Sequence, residues 1–457
     1  MDDSSLGGFG DTRLRKVGSA LLAAMQQAPT MCLHALARDR NEALRYGRFL
    51  DNAAVSADEM LVHAGRLTGR RVAGRHVLAI QDTTEFHFAS QGASKRGFGT
   101  GGNGEDIGLF LHPMIAIDAA HGGLLGLVGA AVLNRTGGKV TDRKHRAADA
   151  KESRRWLSGA ETASEVLADA AMITVIADRE SDVYDLFARR PANVHLLVRA
   201  GQNRALRGSG CLFAHCASWP EQERYQIEIP GRGKKPSRTA WVALRFGPVE
   251  LKRTPNAAKS LPESVTLHVV DVTEADPPAG QEPLHWCLLT THAVATPAEA
   301  RRIVEWYKFR WTIEQVFRTL KTDGVRVEAS QMIEASSFVK LVVVALIAAV
   351  RVMQIVLGRD GSTGQSMADA ADPNDMPALQ AISATLEGKT EKLKNPHQPA
   401  SLAWFAWIVA RLGGWSGYTS RGYKPPGPKT IFRGLTNLDA MVIGWNLAHR
   451  SALVRLP

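Results

Sequence analysis

Along the first part of the chain the apolar positions recur at intervals of three and four. TRLRKVGSALLAAMQQA and then NEALRYGRFLDNAAVSADEMLVHAGRLTGRR therefore predict short helices over residues 11 to 70. From Arg75 the pattern changes to short apolar runs bounded by turn residues: RHVLAI, FLHPMIAID, LLGLVGAAVLN, MITVIA and HLLVRA. Such runs predict strands, the second and third forming an antiparallel pair that turns around His121 to Gly123. Residues 146 to 170 suit a helix, and the segment after MITVIA runs straight into another. Between the first two runs lies a glycine-rich stretch, Gly97 to Gly108, without the Gly-Lys-Ser/Thr ending of a phosphate-binding loop. It predicts a mobile connection.

Three strands, then helix, strand, helix, strand is the order of a ribonuclease H-like sheet, in which the first and fourth strands are neighbours. Asp82 follows the first apolar run and Asp178 the fourth, so the two acids would meet at one edge of that sheet. Either alone reads as a turn or helix-capping residue. The pair is harder to dismiss. Residues 201 to 291 interrupt the pattern with ERYQIEIP, TAWVALRF, SVTLHVVDV and PLHWCLLTT, a β-rich insertion with a basic turn at Arg232, Lys234, Lys235 and Arg238.

After the insertion comes WYKFRWTIEQVFRTLK, Trp306 to Lys321, which predicts one continuous helix. Tyr307, Arg310, Glu314 and Lys321 are spaced by three, four and seven residues and share one stripe of it. Trp306, Phe309, Ile313, Val316, Phe317 and Leu320 form an adjacent core face, and Lys308, Thr312, Gln315 and Thr319 the water face. Taken alone, the stripe reads as a solvated ladder in which Arg310 and Glu314 pair four residues apart.

The apolar segment from Phe338 to Leu357 holds only LVVVALIAAV between Lys340 and Arg351. That is half of the roughly 20 apolar residues a span requires, so a buried core helix is expected and no membrane. Linkers then lead to SLAWFAWIVARLGGW and a last helix over DAMVIGWNLAHRS. The predicted organisation is α/β: a helical domain at 1–70, a ribonuclease H-like mixed sheet at 71–357 with the β-rich insertion at 201–291, and a helical domain at 358–457.

Composition narrows the partners. Lys and Arg outnumber Asp and Glu by 56 to 45, giving a net charge of +11 and a pI near 9.6, which suits a polyanion. Disorder is excluded by the ordinary apolar content. The start, MDDSSLGGFGD, lacks the basic and apolar regions of a signal peptide. Cys32, Cys211, Cys216 and Cys287 match no zinc or redox pattern, and a reducing cytoplasm fits them.

Together, QDTT around Asp82, ADRESD around Asp178 and the Tyr307, Arg310, Glu314, Lys321 stripe resemble the signature of the IS4-family transposases. YGRFLDNAAVSADE, PLHWCLLTT and VARLGGW extend the resemblance over nearly the whole chain. It implies a bacterial DDE transposase, nucleoid-associated when bound to DNA, with Asp82, Asp178 and Glu314 holding two Mg²⁺ ions, Mn²⁺ being able to substitute. Three crowded carboxylates repel one another unless cations neutralise them, and oxygen-only ligands favour Mg²⁺ or Mn²⁺ over zinc. The resemblance also implies that Tyr307, Arg310, Lys321 and Arg199 grip phosphates of double-stranded DNA at inverted-repeat ends. Trp286 would stack a flipped base and Trp311 support the distorted end; Arg13, Arg15 and Arg48 would add N-terminal DNA contacts.

The implied reaction is hydrolysis at the element's end, a DNA hairpin, its reopening, and joining of the 3′ end to target DNA by a homodimer that bridges two ends. Two rivals stand beside it: a nuclease of the same fold that cuts without joining, and a non-catalytic DNA-binding protein derived from a transposase.

Overall fold

A computed structural model describes residues 5–88, 95–135, 152–208, 210–229, 237–278, 280, 282–417 and 425–453. Arg232, Lys234 and Lys235 of the expected basic turn, and the beginning of the helix expected from residue 146, lie outside the described residues. In chain order the elements are α1 (Thr12–Gln27), α2 (Leu33–Leu36), α3 (Arg40–Asp51), α4 (Ala57–Gly69), β1 (His76–Gln81), β2 (Thr84–His87), β3 (Gly99–Thr100), β4 (Ile107–Asp118) and β5 (Leu124–Leu133). Next come α5 (Arg154–Val166), β6 (Met172–Ala177), α6 (Tyr184–Arg189), β7 (Val194–Arg199), α7 (Leu212–Ala217), β8 (Glu223–Ile229), β9 (Arg238–Lys252), β10 (Ser264–Glu274) and β11 (His285–Thr290). The chain continues with α8 (Pro297–Lys308), α9 (Trp311–Lys321), α10 (Ala335–Gly358), α11 (Met376–Leu386), α12 (Leu402–Leu412) and α13 (Pro428–Leu453). The fold is mixed α/β, with the strand and helix order expected of a ribonuclease H-like protein.

Two compact units form. One comprises Gly74–Asp82 and Val140–Trp311. Its strands run in the order β1, β6, β7, β11, β10, β9, β8. β1, β6 and β7 are parallel, and their nearly unbroken apolar sequences are buried along almost their whole length, as suits strands covered on both faces. The β-rich insertion does not stand apart from this sheet. β11 pairs antiparallel with β7, and β10, β9 and β8 follow, each antiparallel to its neighbour. Buried and exposed positions largely alternate along β9, as in a strand with one wet face. Helix α5 packs against β1, β6 and β7, burying Trp156, Leu157, Ala160 and Ala163.

Helix α8 begins at a capping box, Thr296 with Glu299, and carries Pro297 where a missing N–H costs nothing. Ala300, Ile303, Val304 and Tyr307 are its buried face. The continuous helix expected from Trp306 to Lys321 is instead two helices. Phe309 N–H donates to the Trp306 carbonyl at 3.2 Å and Arg310 N–H to that of Tyr307 at 3.0 Å. These three-residue bonds tighten the chain, so the periodicity restarts at Trp311. Thr312 and Thr319, expected on the water face, are consequently buried, while Phe309 and Phe317 are half-exposed.

The other unit comprises Met1–Ala73, Thr83–Lys139 and Thr312–Pro457. Its strands β4 and β5 form the expected antiparallel pair, and β2 and β3 both pair with β4. The glycine-rich stretch makes local hydrogen bonds: Gly101 N–H donates to the Asp106 carbonyl at 2.8 Å and Gly102 N–H to Glu85 at 2.5 Å. Asp39 and Ser56 cap α3 and α4. Helix α10, with 24 residues and an 18-residue window of mean hydropathy 2.5, is long and apolar enough to cross a membrane by length and composition, more so than the bracketed run suggested. Its burial against α1, α3, α4, β5, α12 and α13 accounts for that composition. Lys340 within it directs its ammonium to the end of α3, donating to the Leu50 and Asn52 carbonyls at 2.8 Å.

Candidate active site

The parallel pair β1 and β6 brings the two aspartates together in sequence register. Ile80 stands opposite Ile176, so Asp82 and Asp178 each lie two positions beyond the last matched residues of adjacent strands. Ala177 stands opposite Val198 on β7, which sets Arg199 beside Asp178 in the next strand. An aspartate, an aspartate and an arginine thus end three neighbouring parallel strands. Strand carboxyl ends are where α/β sheets place their ligands.

Asp178 also caps the short turn that follows it: Glu180 N–H donates to its Oδ1 at 3.0 Å, and Ser181 Oγ donates to its backbone carbonyl at 2.7 Å. The capping role expected for a lone aspartate is real here. It orients the carboxylate at the strand end. Asp82, mostly buried, accepts from Arg310 Nη1 at 3.1 Å. The Arg310 guanidinium also lies 5.1 Å from the centre of the Trp311 ring.

Tyr307, one turn earlier, is 3% exposed. Burial pushes its hydroxyl above the ordinary value, against the opposing pull of Arg310 and Arg199 and with a small push from Asp178. Burial also draws the Arg199 guanidinium below its usual value, with Tyr307 acting the other way. Arg199 remains a cation and donates from Nη2 to the His285 carbonyl at 2.7 Å. Trp286 packs edge-on to Tyr307 with ring centres 5.7 Å apart and is only 9% exposed. Within this unit, therefore, Asp82, Asp178, Arg199, Trp286, Tyr307, Arg310 and Trp311 fall into one neighbourhood.

The remaining expected residues belong to the other unit. Glu314, half-buried, is in the first turn of α9, where the helix dipole favours a carboxylate. Lys321 ends that helix, 3.9 Å from Glu328 and 5.7 Å above the Phe86 ring. Arg13 and Arg15 are exposed on α1 and Arg48 on α3.

Two further residues of the ADRESD segment lie in this unit, and the apolar pattern does not single them out. Arg179, exposed, is close enough to Arg199 to oppose its charge. Asp182 is almost wholly buried. The acidic and basic alternation of that hexapeptide was the available signal.

Among the described residues no three His, Cys, Asp or Glu side chains gather into a complete metal cage. The strand-end aspartates do offer the right chemistry for a hard cation. Their donors are oxygens only, two negative charges end adjacent strands, and a guanidinium already answers one of them.

Compared with known families, the chain matches the family model described as transposase DDE domain over residues 73–351, more than half its length.

Proposed function

This chain belongs to the transposase DDE-domain family, and on that premise we propose that it cuts the ends of a mobile DNA element and joins the freed 3′ ends to target DNA. The observation that carries the reading is the pair of aspartates ending adjacent parallel strands beside a cluster of arginine and tyrosine. Asp82, Asp178 and Glu314 would hold divalent cations, Mg²⁺ or Mn²⁺. When bound, such ions supply an activated oxygen nucleophile and stabilise the leaving oxygen of an in-line displacement.

The chain's own groups do the rest. Glu180 N–H fixes the Asp178 carboxylate. Arg310, now held by Asp82, exchanges that partner for a DNA phosphate, and Arg199, Tyr307 and Lys321 position the same strand. Trp286 offers an aromatic face for an extruded base once Tyr307 moves from its edge, and base–aromatic stacking is worth about 1–3 kcal/mol. Trp311 steadies Arg310. The helical region 1–70, with Arg13, Arg15 and Arg48, grips the element's end, and the region 358–457 pairs two protomers. Exposed Met441, Ile443 and Leu447 on α13 support that pairing.

The finer kinship we propose is with the IS4 family and Tn5-like transposases, in which a DNA hairpin forms and is reopened before joining. A strand-transfer assay tests the reading, using a pre-cut end with a free 3′-hydroxyl from the inverted repeats flanking the coding sequence. Joined product in Mg²⁺ is expected. Cutting without joined product would leave a nuclease, and binding without either would leave a DNA-binding protein.

A further inference from the structure

The proposed site uses one aspartate of ADRESD and leaves the other, Asp182, 2% exposed in the same unit. Gly201 N–H and Gln202 N–H donate to its Oδ2 at 2.9 and 3.1 Å. Arg204 Nε donates to its Oδ1 at 2.6 Å, and Arg204 Nη2 donates to its backbone carbonyl. Arg204 is itself buried, its side chain 5% exposed. Burying two charges is costly even when they pair, and apolar replacements of such a pair are commonly as stable or more so. Stability alone is therefore a poor account of this pair.

Geometry is a better one. Asp182 closes the turn that begins at Asp178, while Gly201 to Arg204 form the turn that begins just after Arg199. The four bonds fasten one turn to the other. Gly201 permits the contact: a side-chain carbon there would lie 2.6 Å from the Arg179 carbonyl oxygen. Ala200 N–H, donating to the Cys287 carbonyl at 2.8 Å, ties the same segment to β11.

We infer that Asp182 is a positioning residue, whose clamp on Gly201, Gln202 and Arg204 sets Arg199 at a fixed place beside Asp178. The inference rests on the proposed DNA-cutting reaction. Asp182→Asn keeps the shape and an acceptor but leaves Arg204 uncompensated. It should lower kcat for end cleavage by about 10- to 100-fold while DNA affinity changes less than about threefold. Hydrogen exchange at the Gly201 and Gln202 amides should accelerate in parallel.

A second variant separates positioning from folding. Asp182→Leu combined with Arg204→Met should melt cooperatively within a few degrees of the wild type and still cleave slowly, because no acceptor remains for the two amides. Wild-type kcat in Asp182→Asn, or in the double variant, would overturn the inference. So would faster amide exchange unaccompanied by loss of kcat. A wild-type protein that binds end DNA and never cuts it would instead defeat the proposed reaction, leaving amide exchange to report on the clamp alone.

Discussion

The two ends of the strands β1, β6 and β7 carry opposite kinds of polar chemistry. At their carboxyl ends stand Asp82, Asp178 and Arg199, with Tyr307 and Arg310 against them. Near their amino ends stand His76, Thr174 and His195, joined by His292 just beyond β11. There Thr174 Oγ1 hydrogen-bonds both His76 Nε2 and His292 Nε2 at 2.8 Å, and the His195 and His292 rings stack 4.1 Å apart. Trp306 covers the group with its ring centre 4.5 Å from that of His76.

Burial, reinforced by His195 and His76, pushes His292 down to about 3, so this ring is neutral at ordinary pH. Thr174 bridges two of the rings, and His195 Nδ1 hydrogen-bonds Thr291 Oγ1 at 3.3 Å. The carboxyl ends instead concentrate formal charge, Asp82 and Asp178 beside Arg199 and Arg310, the groups proposed above to meet a metal and a phosphate. One sheet thus separates a histidine cluster bonded through Thr174 from a cluster rich in formal charge.

Substitutions should show the same division. Asp82→Asn or Asp178→Asn should lower end cleavage on the order of a thousandfold or more, with DNA binding within about threefold, as measured by gel cleavage and shift assays. Arg310→Ala should weaken binding of the end by about tenfold and reduce the dependence of log K on log salt by about one phosphate contact. It should also tighten Mn²⁺ binding by the DNA-free protein, measured calorimetrically, because the tethered cation no longer competes for Asp82.

Tyr307→Phe, which removes a hydroxyl and leaves the ring packed on Trp286, should cost cleavage no more than about tenfold. His292→Asn should leave cleavage unchanged and alter only the response to acid. The unfolded chain protonates His292 near 6.5 and the folded chain near 3. Stability from this group is complete above the upper value and declines as pH falls toward the lower. The variant should flatten that acid limb of a Tm-against-pH curve.

Much of this was legible in the residues because strands buried on both faces are written as unbroken apolar runs. RHVLAI and MITVIA therefore marked both strand ends, and with them Asp82 and Asp178. The break between α8 and α9 was not legible. Nothing in KFRW is a helix breaker; no Gly or Pro is present, and the tightening is visible only in which carbonyls Phe309 and Arg310 choose. Thr312 and Thr319 are buried for that reason, against the periodicity of a continuous helix. The hydrogen bond from the glycine-rich stretch to Glu85 is a contact between residues distant in sequence, as is the pairing of Asp182 with Arg204. Periodicity records which face is buried, and it is silent on which polar side chain meets which.

In the proposed reaction the strand-end carboxylates would hold the divalent cation. Replacing Asp178 by cysteine tests that role most directly, because a thiolate accepts the softer Mn²⁺ more readily than Mg²⁺. With the element's end as substrate, Asp178→Cys should be inactive in Mg²⁺ and regain cleavage in Mn²⁺, while His292→Asn cuts in both. An Asp178→Cys protein that cleaves at the wild-type rate in Mg²⁺ would show that Asp178 holds no catalytic metal.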